Sequence, residues 1–474
     1  MNIDEEYFNS EEFRELLDSY ETSAESGSLP FMDVDDLVDL ADYYNFLGDD
    51  DKATEAIDHA LQLYPHATLP NVFKAREALM QDDLEGASAY ADNISERDDP
   101  DYHYLIAEIK IAGGQVDEAD NYLREYGRTV PDDEQEDFIR DCANLFIDYG
   151  ISDKAYEWMM RSKGDDGDDF KELMARTLFG LGRYDDSERI FNELIDHHPY
   201  SKRYWNALAN TQFMKEDFNS AVTSSEYAIA IDPTDPEGLI SKATSLFRLG
   251  NFEEALKYYQ RYAEQIPDDD FCMFYQAMCL INLERMEEAA ELLENVIRIS
   301  EEASMFLPAY QELALCYNTL KQPEKALSTI ARAEEAGCDH IDMLVFKGHI
   351  LLGNEQFDAA AEAFKEAIEQ ADDTPAILLR IIVSLYDNQF VRASYEMFKK
   401  YFRFINGLGD AINDGYAYMA LCCHDLGKKD EFLKYLKLAC QKNVHEARIV
   451  LGFMFPEGME VEDYYDYMCK RLEE

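Results

Sequence analysis

The chain has 474 residues, with 99 Asp and Glu against 43 Lys and Arg, for a net charge of −56 at pH 7. A surface of that sign repels phosphate backbones and anionic lipid, which argues against nucleic acid and membrane partners and leaves a protein or peptide, basic ones included, as the partner class. Hydrophobic residues make up 47% and aromatics 13%, ample for a continuous apolar seam along a long molecule.

Residues 1–33 read as an acidic N-terminal helical segment. Met1 to Glu6 has neither a basic region nor an apolar run, so no secretory signal is expected. Ser10-Glu11-Glu12-Phe13 opens a helix over residues 10–22 with a capping-box start. The polar stretch Ser23 to Pro30 then breaks it.

From residue 34 onward a pair of small residues, twelve apart, returns along the chain: Ala41/Ala53, Ala75/Ala87, Ala107/Ala119, Ala143/Ala155, Ala175/Ser187, Ala209/Ala221, Ala243/Ala255, Ala277/Ala289 and Ala314/Ala326. Gly348/Ala360, Ile381/Ala393 and Ala420/Phe432 continue the series with weaker matches. The intervals centre on 34 residues, the length of two helices and two short turns. Antiparallel helices cross closely at one point each, and a bulky side chain there would drive the axes apart.

The punctuation agrees. Gly48, Gly114, Gly150, Gly182, Gly250 and Gly427 each fall seven residues after a first small residue, where a left-handed glycine ends a helix. An apolar residue (Leu84, Val116, Tyr184, Phe218, Phe252, Met286, Phe357 and Phe390) opens many second helices, and Pro65, Pro131, Pro199, Pro233 and Pro267 close five of them. Acidic clusters such as Asp49 to Asp51, Asp165 to Asp169 and Asp268 to Asp270 mark turns and helix starts.

Trp205-Asn206-Ala207-Leu208-Ala209 with Ala221, Ala228 and Pro233, and Ala243 with Leu249-Gly250, Ala255 and Pro267, resemble the tetratricopeptide repeat family. The resemblance covers about twelve units over residues 34–442. The opening Asp33 to Tyr44 also resembles cytosolic bacterial repeat proteins of Bacteroidetes type. The fold implied is an all-α solenoid, a right-handed superhelix of helical hairpins, with capping helices over residues 443–474.

Three departures from the period stand out. The second helix holding Ala155 is cut short near Arg161 to Gly167, extra residues enter around Ser300 to Leu307, and a larger insertion around Phe404 to Gly409 reads as a loop. The nine cysteines have no framework spacing and read as reduced thiols inside helices, which fits a cytoplasmic protein.

No catalytic motif is present. Gly407-Leu408-Gly409 lacks the third glycine of a dinucleotide loop, and Asp165 to Asp169 lacks the closing glutamate of a calcium loop. Cys422, Cys423 and His424 with Cys440 and His445 are the strongest metal candidates, yet adjacent cysteines diverge by about 100° on a helix. Neither an enzyme nor a cofactor is expected.

In the family, first helices line the concave face. The resemblance therefore nominates Arg203, Asn206, Asn210 and Phe213, then Ile240, Thr244 and Phe247, then Phe274, Met278 and Ile281 as groove residues. An amide can fix a peptide backbone by donating and accepting together, and apolar neighbours can take alternate side chains. The carboxylate clamp of chaperone-binding members is not matched, because Ser241, Phe271 and Tyr275 stand where an asparagine and two cations belong. The function implied is a scaffold for an extended peptide or protein partner. The alternatives are a peptide-sensing regulator and, more remotely, an (α/α)-toroid enzyme.

Overall fold

In the computed structural model, the described residues are 5–8, 10–25, 30–163, 167–300, 303–408, 413–456 and 458–473. They form helices with no strand among them. The chain divides into two compact units, Met1–Ile231 and Asp232–Glu474.

The first unit opens with the helix Glu11–Glu25, whose Phe13 and Tyr20 are buried against Leu37, Leu40, Ala41 and Tyr44. Ser10 caps it, its hydroxyl accepting from the Phe13 amide at 3.1 Å. Six hairpins follow among the described residues: Val34–Phe46 with Asp50–Leu63, Thr68–Met80 with Leu84–Asn93, Pro100–Ala112 with Val116–Tyr126, Gln135–Asp148 with Ser152–Met159, Asp168–Gly180 with Tyr184–His197, and Lys202–Met214 with Phe218–Ile231.

The second unit contains Pro236–Arg248 with Phe252–Ala263, Asp270–Asn282 with Met286–Ile299, and Ala303–Thr319 with Pro323–Glu335. It continues with His340–Gly353 and Phe357–Gln370, Thr374–Asp387 and Val391–Leu408, and Tyr416–Asp425 and Lys429–Lys442. Val444–Leu451 and Tyr464–Glu473 come last, burying Ala447, Leu451, Tyr464 and Met468 in one cluster with Phe432, Leu436 and Ala439.

The recurring small residues sit where the helices cross. Every alanine of the pairs from Ala41 to Ala326 is 0% exposed, as is Ser187. Ser187 also shows how a serine is accommodated there, since its hydroxyl donates to the Ala175 carbonyl at 2.9 Å.

The eleventh pair is shifted by one residue from its sequence reading. Ala393 is exposed, whereas Ser394 is buried and donates to the Ile382 carbonyl at 3.0 Å, as Ser187 does to Ala175. The crossing pair is therefore Ile382/Ser394, and its second helix opens at Val391 rather than Phe390. With that register every hairpin has a left-handed residue seven after its first small one. Six are the glycines already named; the others are Asp82, Glu216, Glu284, Lys321, Glu355 and Gln389, with φ between 57 and 67°.

The helix Ser152–Met159 has only eight residues, as its sequence suggested. The insertion near Phe404 is not a loop up to Leu408: it lengthens the helix Val391–Leu408 to 18 residues. Gly409, Asp165 and Asp166 lie outside the described residues. Acidic turn residues act as caps, with Asp49, Asp83, Asp235, Asp269, Asp339 and Asp373 each accepting from a backbone amide in the first turn of the following helix.

Candidate binding faces

The residue immediately after the first small residue of each hairpin marks the first-helix face. In the first unit the series is Asp42, Arg76, Glu108, Asn144, Arg176 and Asn210. These side chains link neighbouring hairpins through charge. Arg76 donates through Nε and Nη2 to both carboxylate oxygens of Glu108 at 2.6–3.2 Å. Arg176 donates to Asn144 and Asp148 at 3.2 Å each.

Among the nominated residues of this unit, Arg203 forms an ion pair with Glu172 on the preceding hairpin. Asn206 is 2% exposed and belongs to the hairpin interior, while Asn210, one turn on, is exposed. Phe213 is half-buried and meets Phe218 edge-on at 5.3 Å, joining the end of the first helix to the start of the second.

The same series in the second unit is Thr244, Met278, Leu315, His349, Val383 and Leu421. Thr244 turns inward: its hydroxyl donates to the Ile240 carbonyl at 2.8 Å and accepts from Tyr259 at 3.3 Å. Phe247 repeats the turn contact, edge-on to Phe252 at 5.4 Å, and also meets Tyr275 at 5.3 Å. Ile240, Phe274, Met278 and Ile281 are half-buried, and Phe274 meets Tyr275 edge-on at 5.6 Å. The nominated apolar residues thus divide into hairpin-turn contacts, Phe213 and Phe247, and a partly open row.

Further along this unit, Leu315, Phe346, His349 and Val383 line a crevice of about 450 Å³ together with Arg380, Asp387 and Tyr418. Burial holds the His349 imidazole below the usual histidine range, favouring the neutral ring. Its Nδ1 lies 2.9 Å from the Ser384 hydroxyl. The sequence reading missed this crevice because it followed the best repeat matches, near residue 209. The series Leu315, His349, Val383 was visible as soon as the eleventh hairpin was placed in register.

Cys142, Cys272, Cys279, Cys316, Cys422 and Cys423 are buried and free, and burial raises Cys279, Cys316 and Cys423 to about 12. Cys422 donates to the Ser394 hydroxyl at 3.5 Å. No helix among the described residues is long and apolar enough to cross a membrane.

Comparison with known proteins agrees with this architecture. The family model described as tetratricopeptide repeat matches residues 173–236 and 347–389. The model described as anaphase-promoting complex, cyclosome, subunit 3 matches residues 214–296. The TPR repeat-containing protein YpiA of Bacillus subtilis (strain 168) is 21% identical over 334 residues, 69% of this chain and 77% of its own.

Among solved structures, a tetratricopeptide repeat protein from Parabacteroides merdae ATCC 43184 aligns over 52% of this chain and 97% of its own, at 14% identity and a TM-score of 0.39. YrrB, described as a TPR protein with an unusual peptide-binding site, aligns over 42% of this chain and 97% of its own, at 16% identity and a TM-score of 0.35. The repeat is generally a non-catalytic interaction module. Paired small residues at helix crossings, a left-handed residue after every first helix and the matched repeats lead to one conclusion: the chain carries tetratricopeptide repeats.

Proposed function

We propose that the chain is a non-enzymatic scaffold that holds an extended segment of a partner protein on its first-helix faces. The observation that carries this reading is the half-buried apolar row of the second unit, Ile240, Phe274, Met278 and Ile281, in a chain whose net charge is −56. Partly open apolar surface lowers solubility unless something covers it, and here acidic side chains are abundant enough to have occupied it. Alternate side chains of an extended peptide suit such a row. In the first unit, Arg203 and the exposed amide of Asn210 are the corresponding polar contacts, each reached independently of the apolar row.

The test is capture of partners from the native cell, then direct binding of an identified partner to variants. Phe274→Ala with Met278→Ala is expected to weaken binding at least about tenfold, with Asn210→Ala doing so more mildly. Wild-type affinity in both variants sinks the reading.

A further inference from the structure

The first unit contains a cavity of another kind. It measures about 860 Å³ and lies between the third and fourth hairpins. The connection between them, residues 127–134, has eight residues where residues 64–67 and 198–201 make the same link with four. Gln135 pins this longer loop, its amide donating to the Gly127 carbonyl at 2.7 Å and the Val130 carbonyl at 2.8 Å.

The walls are aromatic. Tyr126 stacks on His103 at 3.6 Å and stands edge-on to Phe138 at 5.6 Å, while Tyr104 lies parallel to Phe138 at 6.1 Å. Tyr122 bonds His103 Nδ1 at 2.6 Å. The contacts hold the rings as fixed walls.

The rim is acidic. Asp98, Glu125, Glu134, Asp137 and Asp141 border the cavity, and no Lys or Arg is among the described residues lining it. Asp137 is engaged by Arg140, and Asp141 accepts from Tyr104 at 3.0 Å. Burial keeps His103 below its usual range and pushes the Tyr122 phenol up to about 12, so neither adds positive charge nor ionises near neutral pH. Among the described residues no three His, Cys, Asp or Glu side chains converge to hold a metal ion.

Electron-rich ring faces under a ring of carboxylates attract an organic cation, because the quadrupole and the full charges act in the same direction. The cavity is larger than one ammonium group needs. It also shares Tyr104 and Asp141 with a neighbouring crevice of about 660 Å³, which Arg76 lines while paired with Glu108. An extended chain fits that continuity, with its cation on the first cavity. We propose that this cavity receives a lysine or arginine side chain from a basic, extended segment of a partner protein. The inference rests on the scaffold reading only in taking its cation from a protein.

The experiment uses the full chain and a fluorescein-labelled peptide of alternating glycine and lysine, followed by anisotropy at about 150 mM salt, where distant exposed charges are screened. Asp98→Asn with Glu134→Gln removes two exposed rim charges. Glu55→Gln with Glu85→Gln removes two exposed charges elsewhere in the same unit. The rim pair is expected to weaken binding at least about fivefold and the control pair less than about twofold. Tyr126→Leu, which changes no charge, is expected to match the rim pair; the rim and control pairs keep the test valid if that substitution unfolds the unit.

Equal losses in the rim and control pairs overturn the inference, leaving only the general negative field. Displacement of the peptide by spermidine at equal charge concentration overturns the assignment to a protein side chain. A partner that still depends on Phe274 and Met278 after either result leaves the scaffold reading standing.

Discussion

At the position after the first small residue, the unit Met1–Ile231 places Asp42, Arg76, Glu108, Asn144, Arg176 and Asn210, whereas Asp232–Glu474 places Thr244, Met278, Leu315, His349, Val383 and Leu421. The position after the second small residue divides similarly: Thr54, Ser88, Asp120, Tyr156, Glu188 and Val222 against Leu256, Ala290, Leu327, Ala361, Tyr395 and Leu433. The crossing alanines are equally buried in both units. Close helix approach therefore depends on the small residue and tolerates opposite chemistry one step away. The first unit joins its hairpins at these positions largely by polar pairs, and the second by apolar contact.

The strongest way to break this comparison is to remove a polar joint. Asp120 is 4% exposed and accepts from Trp158 Nε1 at 3.1 Å and Arg124 Nε at 2.8 Å, with Lys154 at 3.4 Å. Asp120→Ala is expected to destabilise the first unit by about 3 kcal/mol, since it strands buried donors. Urea unfolding followed by Trp fluorescence reads this, and a loss below about 1 kcal/mol would show that the joint is dispensable. Desolvation opposes ionisation of Asp120, but hydrogen bonding and charge from Arg124, with Lys154, hold its carboxyl below the usual range. A depressed carboxylate contributes its stabilisation above the unfolded value, near 4, and loses it as pH falls through the folded value. Asp120→Asn should accordingly flatten the acid limb of the stability curve.

In the second unit the corresponding test is steric. A Cβ on Gly348 would meet the Phe364 ring at 2.3 Å, so glycine replaces alanine there because a phenyl group already fills the space. Gly348→Ala is expected to cost about 2 kcal/mol, and Phe364→Leu in the same chain to recover part of it. A neutral Gly348→Ala, measured by thermal melting, would mean that Phe364 moves aside freely.

Smaller effects probe what both units share. Glu216 and Glu284 adopt φ of 62 and 59°, one in each unit, where an L side chain is strained by roughly 1 kcal/mol. Glycine at either position should raise stability by about that amount, and no gain in either would argue against the left-handed turn. The mildest substitution sharpens the division itself. Met278→Asn imports the first-unit chemistry onto the second-unit face and should change stability by no more than about 0.5 kcal/mol while weakening partner binding. A larger loss of stability would place Met278 in the supporting core.

Much of the fold was legible because its signals are local. Small residues at fixed spacing, glycines after first helices and prolines after second ones each act within a turn or two of their own position. The eleventh hairpin misled because Ala393 looked like the small residue, while Ser394 is tolerated only by donating to the Ile382 carbonyl across the crossing. The turns at Asp82 and Lys321 likewise carry no glycine to announce them. The candidate site was less legible. Asn206 and Asn210 are one helical turn apart, yet one is buried and the other exposed.

The sequence by itself determined the repeat length, the hairpin and the points where helices meet, since these follow from backbone reach and the volume of a methyl group. Only the tertiary structure decided which half-buried apolar side chains became turn contacts, such as Phe213 and Phe247, and which stayed partly open, such as Met278. It alone also revealed that a lengthened connection encloses an aromatic cavity beside the third hairpin. Exposure and enclosure depend on where a neighbouring helix comes to rest, and no single hairpin contains that information.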